Sequence, residues 1–266
     1  MSAIATLVDV SQATLADLRR AVASGALQLP LSRLELRARG LASETAQRVL
    51  IVLGQLPRGP LLAVLDTVLA ERERAAQRRP RLLWTGPEAT GTAALDTRVQ
   101  LLQLLQSAQR SVFLAGYVFD DPELLRPLYE AMAARGVDVT VVLNIKAEGD
   151  GGREDRIRDQ VRTFLKEIWP GRDLAPRLYV DPRTAAWNRD PASEDGGGYF
   201  VSMHAKAVIV DAEHVILGSA NFTGRGTNRN IEAGVLLHSR EFAKRLLRQW
   251  EALIAGGVLR NIARQP

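Results

Sequence analysis

Residues 203–237 read MHAKAVIVDAEHVILGSANFTGRGTNRNIEAGVLL. Two short apolar runs, Ala205–Val210 and His214–Leu217, are joined by the polar turn Asp211–Glu213, and a third run, Glu232–Leu237, follows a Gly-rich stretch. Apolar runs parted by turn residues predict strands. Residues i and i+2 of a strand share a face, so His204 and Lys206 are expected side by side on one strand. An imidazole beside a fixed positive charge suits attack on a phosphodiester: a nucleophile next to a group that neutralises the oxyanion. Gly218 and Ser219 end the second run, where a small turn lets backbone and hydroxyl approach an anion. Asn221 offers amide donors to a phosphate oxygen, and Lys206, Ser219 and Asn221 together form the expected phosphate-binding set. Glu232 opens the third strand and is expected to accept a hydrogen bond from His204, fixing its tautomer. Asp211 ends a strand, where aspartate often makes a turn hydrogen bond; it joins His204, Lys206, Asn221 and Glu232 in the expected catalytic set in a supporting role.

Upstream of this stretch the pattern alternates. Leu95–Ala108 predicts a helix, Ser111–Tyr117 a buried strand, Asp121–Arg135 a helix stopped by Gly136, and Asp138–Asn144 a second apolar strand. Strand, helix, strand at this spacing is a βαβ unit and implies parallel pairing. Glu148–Gly152 reads as a loop, Glu154–Ile168 as a helix and Leu178–Asp181 as a short strand. Residues 182–199 read as a loop, in which Trp187 and Tyr199 could stack on bases but are better placed as hydrophobic anchors. Tyr117 is expected in the core, His214 and His238 as structural or surface residues. Arg225 and Arg229, in the Gly-rich stretch, could reach phosphates or simply face solvent. A helix closes the chain from Ser239 to Ala255. Residues 1–79 look all-helical, with apolar residues at helical spacing such as Leu15, Leu18 and Val22. Pro80, Gly86, Pro87 and Gly91 mark a linker over 80–92, leaving 93–266 as the second domain. The fold class is α/β, a mixed sheet flanked by helices behind an all-α amino-terminal region.

Composition narrows the chemistry. There is no cysteine, so disulfides and thiolate metal sites are excluded. No HExxH-like pair occurs, and neither a metal nor an organic cofactor is expected. No run of 18 or more apolar residues is present, and the amino terminus lacks a basic n-region, so neither a membrane span nor a signal peptide is expected and the cytoplasm is the default location. Net charge is +5, with a pI of about 9.9, which favours polyanionic partners. Nearly all of the basic residues are arginine; the lysines are Lys146, Lys166, Lys206 and Lys244. Arg19, Arg20, Arg33, Arg37 and Arg39 would permit a DNA-binding helix-turn-helix in the first domain, although a dimerisation or partner-docking bundle is the favoured role.

The spacing His204-x-Lys206, four residues, Asp211, six residues, Gly218-Ser219, followed by Asn221 and Asn230-x-Glu232, resembles the phospholipase D superfamily. The block Val99–Asn144 is similar to the first half of such a domain, so the resemblance covers roughly 93–255, and it is nearest to the small nucleases with one motif per chain. The resemblance implies a phospholipase-D-like sheet and a metal-independent phosphodiesterase in which one histidine forms a phosphohistidine and a second protonates the leaving group. Two motifs serve each active site in that family. This chain has one: His214 and His238 lack the lysine and aspartate of a second copy, so a homodimer is implied. The helical amino-terminal region joined to one such domain also resembles the phospholipase-D-like component of bacterial DISARM anti-phage systems, which implies partner proteins of a defence system. Nucleic acid is the expected substrate. A lipid phosphodiesterase or transferase, and a non-catalytic nucleic-acid-binding component of a defence complex, remain open alternatives.

Overall fold

A computed structural model describes residues 7, 9–77, 79–87, 94–148, 151–189 and 198–262. The chain divides into two compact units, Met1–Arg78 and Arg79–Pro266. The first is helical: α1 (Gln12–Ala23), α2 (Arg33–Ala38), α3 (Ser43–Leu53) and α4 (Arg58–Gln77). Helices α1 and α2 start where a serine side chain takes up an orphan N–H: Ser11 accepts from Thr14 N, and Ser32 from Glu35 N. Their apolar stripes meet in a core that includes Leu15, Leu18, Leu36, Val49, Leu61 and Leu65. The short helix α2 was not legible in the sequence.

The second unit contains, in chain order, β1 (Arg81–Thr85), β2 (Leu95–Asp96), α5 (Thr97–Ser107), β3 (Ser111–Gly116), α6 (Pro122–Arg135), β4 (Asp138–Leu143), α7 (Arg153–Thr163), β5 (Arg177–Val180), β6 (Trp187–Arg189), β7 (Gly198–Phe200), β8 (Ala207–Val210), β9 (His214–Gly218), α8 (Gly224–Asn228), β10 (Glu232–His238), α9 (Arg240–Ala255) and β11 (Arg260–Asn261). Nine strands form one mixed sheet in the order β11-β5-β4-β3-β8-β9-β10-β1-β2. The expected parallel βαβ unit is β3–α6–β4, with Val112 opposite Val139 and Leu114 opposite Val141. Helix α6 has Asp121 as its N-cap and Gly136, at φ +66°, as its left-handed C-cap.

Alternate residues of the central strands serve opposite faces. Val112, Leu114, Val141 and Val208 pack against Leu101 and Leu105 of α5, Leu124 and Leu128 of α6, and Val161 of α7. Phe113, Ala115, Val142 and Ile209 face the other way, onto Ala243, Leu246, Leu247 and Trp250 of α9. The result is a helix–sheet–helix sandwich, in agreement with the α/β expectation.

The expected linker needs correction. Arg81–Thr85 is not a connector but a strand, antiparallel to β10, with Leu83 and Thr85 buried. Its alternation is only five residues long and is masked by the prolines and glycines around it. Residues 88–92 of that expected linker lie outside the described residues. The helix expected over Glu154–Ile168 also changes character, since Phe164–Ile168 is a π turn. The expected 182–199 loop contains a 3₁₀ turn (Pro182–Ala185) and the β6–β7 ribbon, with residues 190–197 outside the described residues.

Candidate active site

Strand β8 runs antiparallel to both β3 and β9, so its start lies beside the ends of those two strands. Ala207 pairs with Ala115 on one side and with Leu217 on the other, and Gly218, at the end of β9, pairs with Gly234 near the start of β10. Four chain ends therefore converge at one end of the sheet. Glycine suits the close pairing: a Cβ on Gly218 would sit 3.1 Å from both the Ala233 carbonyl oxygen and the Gly234 Cα, so the neighbouring strand would have to give by a few tenths of an ångström.

His204 and Lys206 lie in the segment just before β8, which begins at Ala207 rather than at Ala205. They still come together. The Lys206 Nζ is 2.9 Å from Nδ1 and 3.1 Å from Nε2 of His204, and it donates to the His204 carbonyl oxygen at 3.0 Å. His204 is exposed and Lys206 half-buried. Burial pushes the Lys206 pKa below its ordinary 10.5, and the Glu232 carboxylate opposes that shift. The segment is anchored upstream by Met203, whose N–H donates to Asn144 Oδ1 at 2.9 Å at the end of β4.

Tyr117 belongs to this group, not to the core. Its ring centroid is 4.6 Å from that of His204 at an interplanar angle of 55°, and Lys206 Nζ lies 5.3 Å above the same ring. The tyrosine thus backs the imidazole and offers a cation–π contact to the ammonium. Sequence alternation placed Tyr117 at the end of β3 but could not show which neighbours it would meet. Asn144 was likewise missed; its only signal was its place at the end of a buried strand.

Glu232 does not take the expected role. Among the described residues it accepts no hydrogen bond from His204. Its carboxylate accepts from the Ser219 hydroxyl and, at 3.2 Å, from Asn230 Nδ2. Ser219 Oγ also accepts from Ala233 N at 3.1 Å. The β9 end and the β10 start are thereby locked, with the Glu232 charge near Lys206. Asn221 Oδ1 is buried without a hydrogen-bond partner among the described residues, as is Thr97 Oγ1. Both residues line, with Lys206 and Thr227, a cavity of about 30 Å³. Behind Asn221, Phe222 stacks on Phe119 at 4.8 Å and 8°, tying the loop after β9 to the loop after β3.

Residues 101–254 match the family described as cardiolipin synthase, PLD-like domain. The chain belongs to this phospholipase-D-like family. Among curated relatives, an uncharacterized protein of Helicobacter pylori is 22% identical over 153 residues, 56% of this chain and 28% of that one. A phospholipase D of Rickettsia conorii is 25% identical over 146 residues, 55% of this chain and 58% of that one. The phospholipase-D-like chain thus spans less than two thirds of the length of these relatives. Among solved structures, Nuc from Salmonella typhimurium, a phospholipase D family member, is 26% identical, with 69% of this chain and 99% of that one covered and a TM-score of 0.44.

In this phospholipase-D-like chain Asp211 stands apart from His204. It sits past the far end of β8, five residues from Lys206, or roughly 16 Å along an extended strand. Its Oδ1 accepts from Arg110 N at 2.7 Å and Ser111 N at 2.9 Å, and Oδ2 from Gln109 N at 3.0 Å. Burial opposes its charge, but these backbone donors and the Arg110 guanidinium bring its pKa below the ordinary 3.8. Asp211 therefore fixes the turn that feeds β3; it touches no group of the His204 cluster. His214 and His238 also lie at this far end, as cross-strand partners with ring centroids 4.5 Å apart. Among the described residues no group of three or more His, Cys, Asp and Glu side chains is placed to hold a metal ion, and no single helix is long and apolar enough to cross a membrane.

Proposed function

We propose that the protein is a metal-independent phosphodiesterase that hydrolyses nucleic acid, DNA or RNA, with His204 as nucleophile. The observation that carries this is the exposed His204 imidazole with the Lys206 ammonium 2.9 Å from its ring. His204 attacks phosphorus, forming a phosphohistidine and expelling an alkoxide; water then cleaves the P–N bond and returns the histidine. Lys206, with the Asn221 amide, stabilises the charge that builds on the non-bridging oxygens. The leaving alkoxide needs a proton, and among the described residues no second histidine lies in the cluster. A second copy of the chain, related by a two-fold axis, supplies it from its own His204.

Nucleic acid is favoured over lipid by the net charge of +5 and by Arg225 and Arg229, exposed on and just after α8, which begins three residues after Asn221. The family description and the curated relatives named phospholipase D support lipid phosphodiester hydrolysis or transfer as the second reading. A helical unit joined to one single-motif domain supports a cytoplasmic role in anti-phage defence of the DISARM kind, exercised with partner proteins.

The deciding experiment incubates the wild type and His204→Asn with single-stranded DNA, duplex DNA, RNA and phosphatidylcholine in EDTA. Expected is nucleic-acid cleavage that resists EDTA and is lost in the variant. Cleavage that requires Mg²⁺ and survives the substitution contradicts the mechanism; cleavage of phosphatidylcholine alone moves the substrate to lipid. A strict monomer with full activity contradicts the shared site.

A further inference from the structure

Strands β6 and β7 form a separate two-stranded antiparallel ribbon, in which Trp187 is paired with Phe200. Directly opposed residues put their side chains on one face, and the two rings meet edge to face with centroids 4.7 Å apart. Yet they are not a core: Trp187 is 55% exposed and Phe200 61% exposed. Two large rings held in a fixed mutual geometry, with more than half of each open to solvent, form a platform rather than an anchor.

Their place in the chain gives the platform an occupant. Trp187 and Phe200 stand at the base of the ribbon, not at its turn, and Phe200 runs directly into the segment that carries His204. Three residues separate Phe200 from His204, so the Cα atoms of the two lie within about 14 Å of each other. A lipid-inserting pair belongs at a protruding tip; a pair at the base, beside a histidine aimed at phosphorus, is placed for the part of the substrate next to the phosphate. In a nucleic acid the flat groups within that reach of a phosphate, beyond the sugar, are bases, and aromatic faces accept any base by stacking. A duplex keeps its bases stacked on each other, so only an unpaired base can reach the rings.

We infer that Trp187 and Phe200 are a stacking site for an unpaired base of the substrate strand near the scissile phosphodiester, which makes single-stranded nucleic acid the substrate class. The inference rests on the nuclease proposal above. The rings are held edge to face at an interplanar angle of 76°, and each keeps more than half of its surface exposed for stacking. The ring pair fixes where the strand lies, and His204 acts on the phosphate that this placement brings to it.

The test uses the full chain in EDTA. In the His204→Asn background, which prevents turnover, a single-stranded thymidine oligonucleotide is expected to quench tryptophan fluorescence. Trp187→Phe should abolish most of that quench while retaining binding, and Trp187→Ala should weaken binding by about 5- to 150-fold, the effect of losing one stacked base. With His204 intact, Trp187→Ala should show the same loss in kcat/KM on the oligonucleotide, with a melting temperature unchanged from wild type because the indole is 55% exposed. Unchanged oligonucleotide binding and cleavage in Trp187→Ala overturn the inference and leave the nuclease proposal standing. Equal quenching by duplex also overturns it. Quenching by phosphatidylglycerol vesicles but not by oligonucleotide assigns the pair to a lipid surface. Hydrolysis of bis(p-nitrophenyl) phosphate with neither binding nor cleavage of any oligonucleotide removes the nucleic-acid proposal itself, and the inference with it.

Discussion

Just before β8, Lys206 is half-buried, its ammonium lies against His204 and Tyr117, and among the described residues that ammonium's hydrogen bonds all go to His204. At the end of β8, Asp211 accepts three backbone N–H groups from Gln109, Arg110 and Ser111 and contacts no reactive group. The two residues belong to one sequence spacing, yet one end of the strand collects chemistry and the other sets register. The four residues between them are β8 itself, Ala207–Val210, so an insertion would move either the cation or the clamp out of place. Changes at one end should therefore alter rate, and changes at the other should alter stability.

The largest expected effect is at the reactive end. His204→Asn removes the proposed nucleophile and should lower kcat by at least about 10³-fold, while a thermal melt stays within about 0.5 kcal/mol of wild type because the side chain is exposed. Lys206→Gln should cost about 10²- to 10³-fold in kcat, the typical loss for one charge-stabilising donor, as measured by steady-state kinetics in EDTA. At the clamp end, Asp211→Ala leaves three N–H groups without their acceptor and should destabilise by about 2–3 kcal/mol. A denaturant melt reads that loss, and the folded fraction should retain activity within about tenfold. A fall of 10³-fold with normal stability would erase the distinction between the two ends.

Smaller effects refine the comparison. His238, beyond the clamp end, has its pKa held below the ordinary 6.5 by burial first, then by His214 and Arg81, with Glu213 opposing. The folded state thus favours the neutral ring, and the unfolded chain binds the proton more readily. Stability from this site is present above about pH 6.5 and is lost as pH falls below it. His238→Gln should flatten that part of the pH dependence, as followed by melting temperature from pH 7.5 to 5. Smallest is Ala212, which holds φ +52° in the turn after Asp211. Ala212→Gly relieves a left-handed conformation and should raise stability by up to about 1 kcal/mol, with kcat unchanged.

What sequence could reveal follows the same division. Local features were legible: the i, i+2 pairing of His204 with Lys206, the βαβ unit around α6, and the caps at Asp121 and Gly136. Features set by non-local contacts were not. The sequence puts Glu232 at the start of a strand and suggests His204 as its partner, but Ser219, which hydrogen-bonds the neighbouring Ala233 at the end of β9, takes the carboxylate. Tyr117 looked like the last residue of a buried strand, and only the crossing of β3 beside β8 puts it under the imidazole. Strand β1 was hidden because an edge-proximal strand of five residues between prolines carries too little alternation to outweigh its turn residues. Asp211 was weighed with the catalytic set because a motif's linear order says nothing about how far a strand carries its two ends apart.

The central claim is that His204 bonds covalently to the phosphorus of the substrate. Acid-free quenching of the wild type during turnover on a phosphodiester, followed by mass spectrometry of the peptide that contains His204, tests it most directly. The account predicts a substrate-phosphoryl adduct on His204 that forms in EDTA, is lost on acid treatment and is absent from His204→Asn. EDTA-resistant cleavage with an adduct on another residue, or undiminished cleavage by His204→Asn, would contradict it.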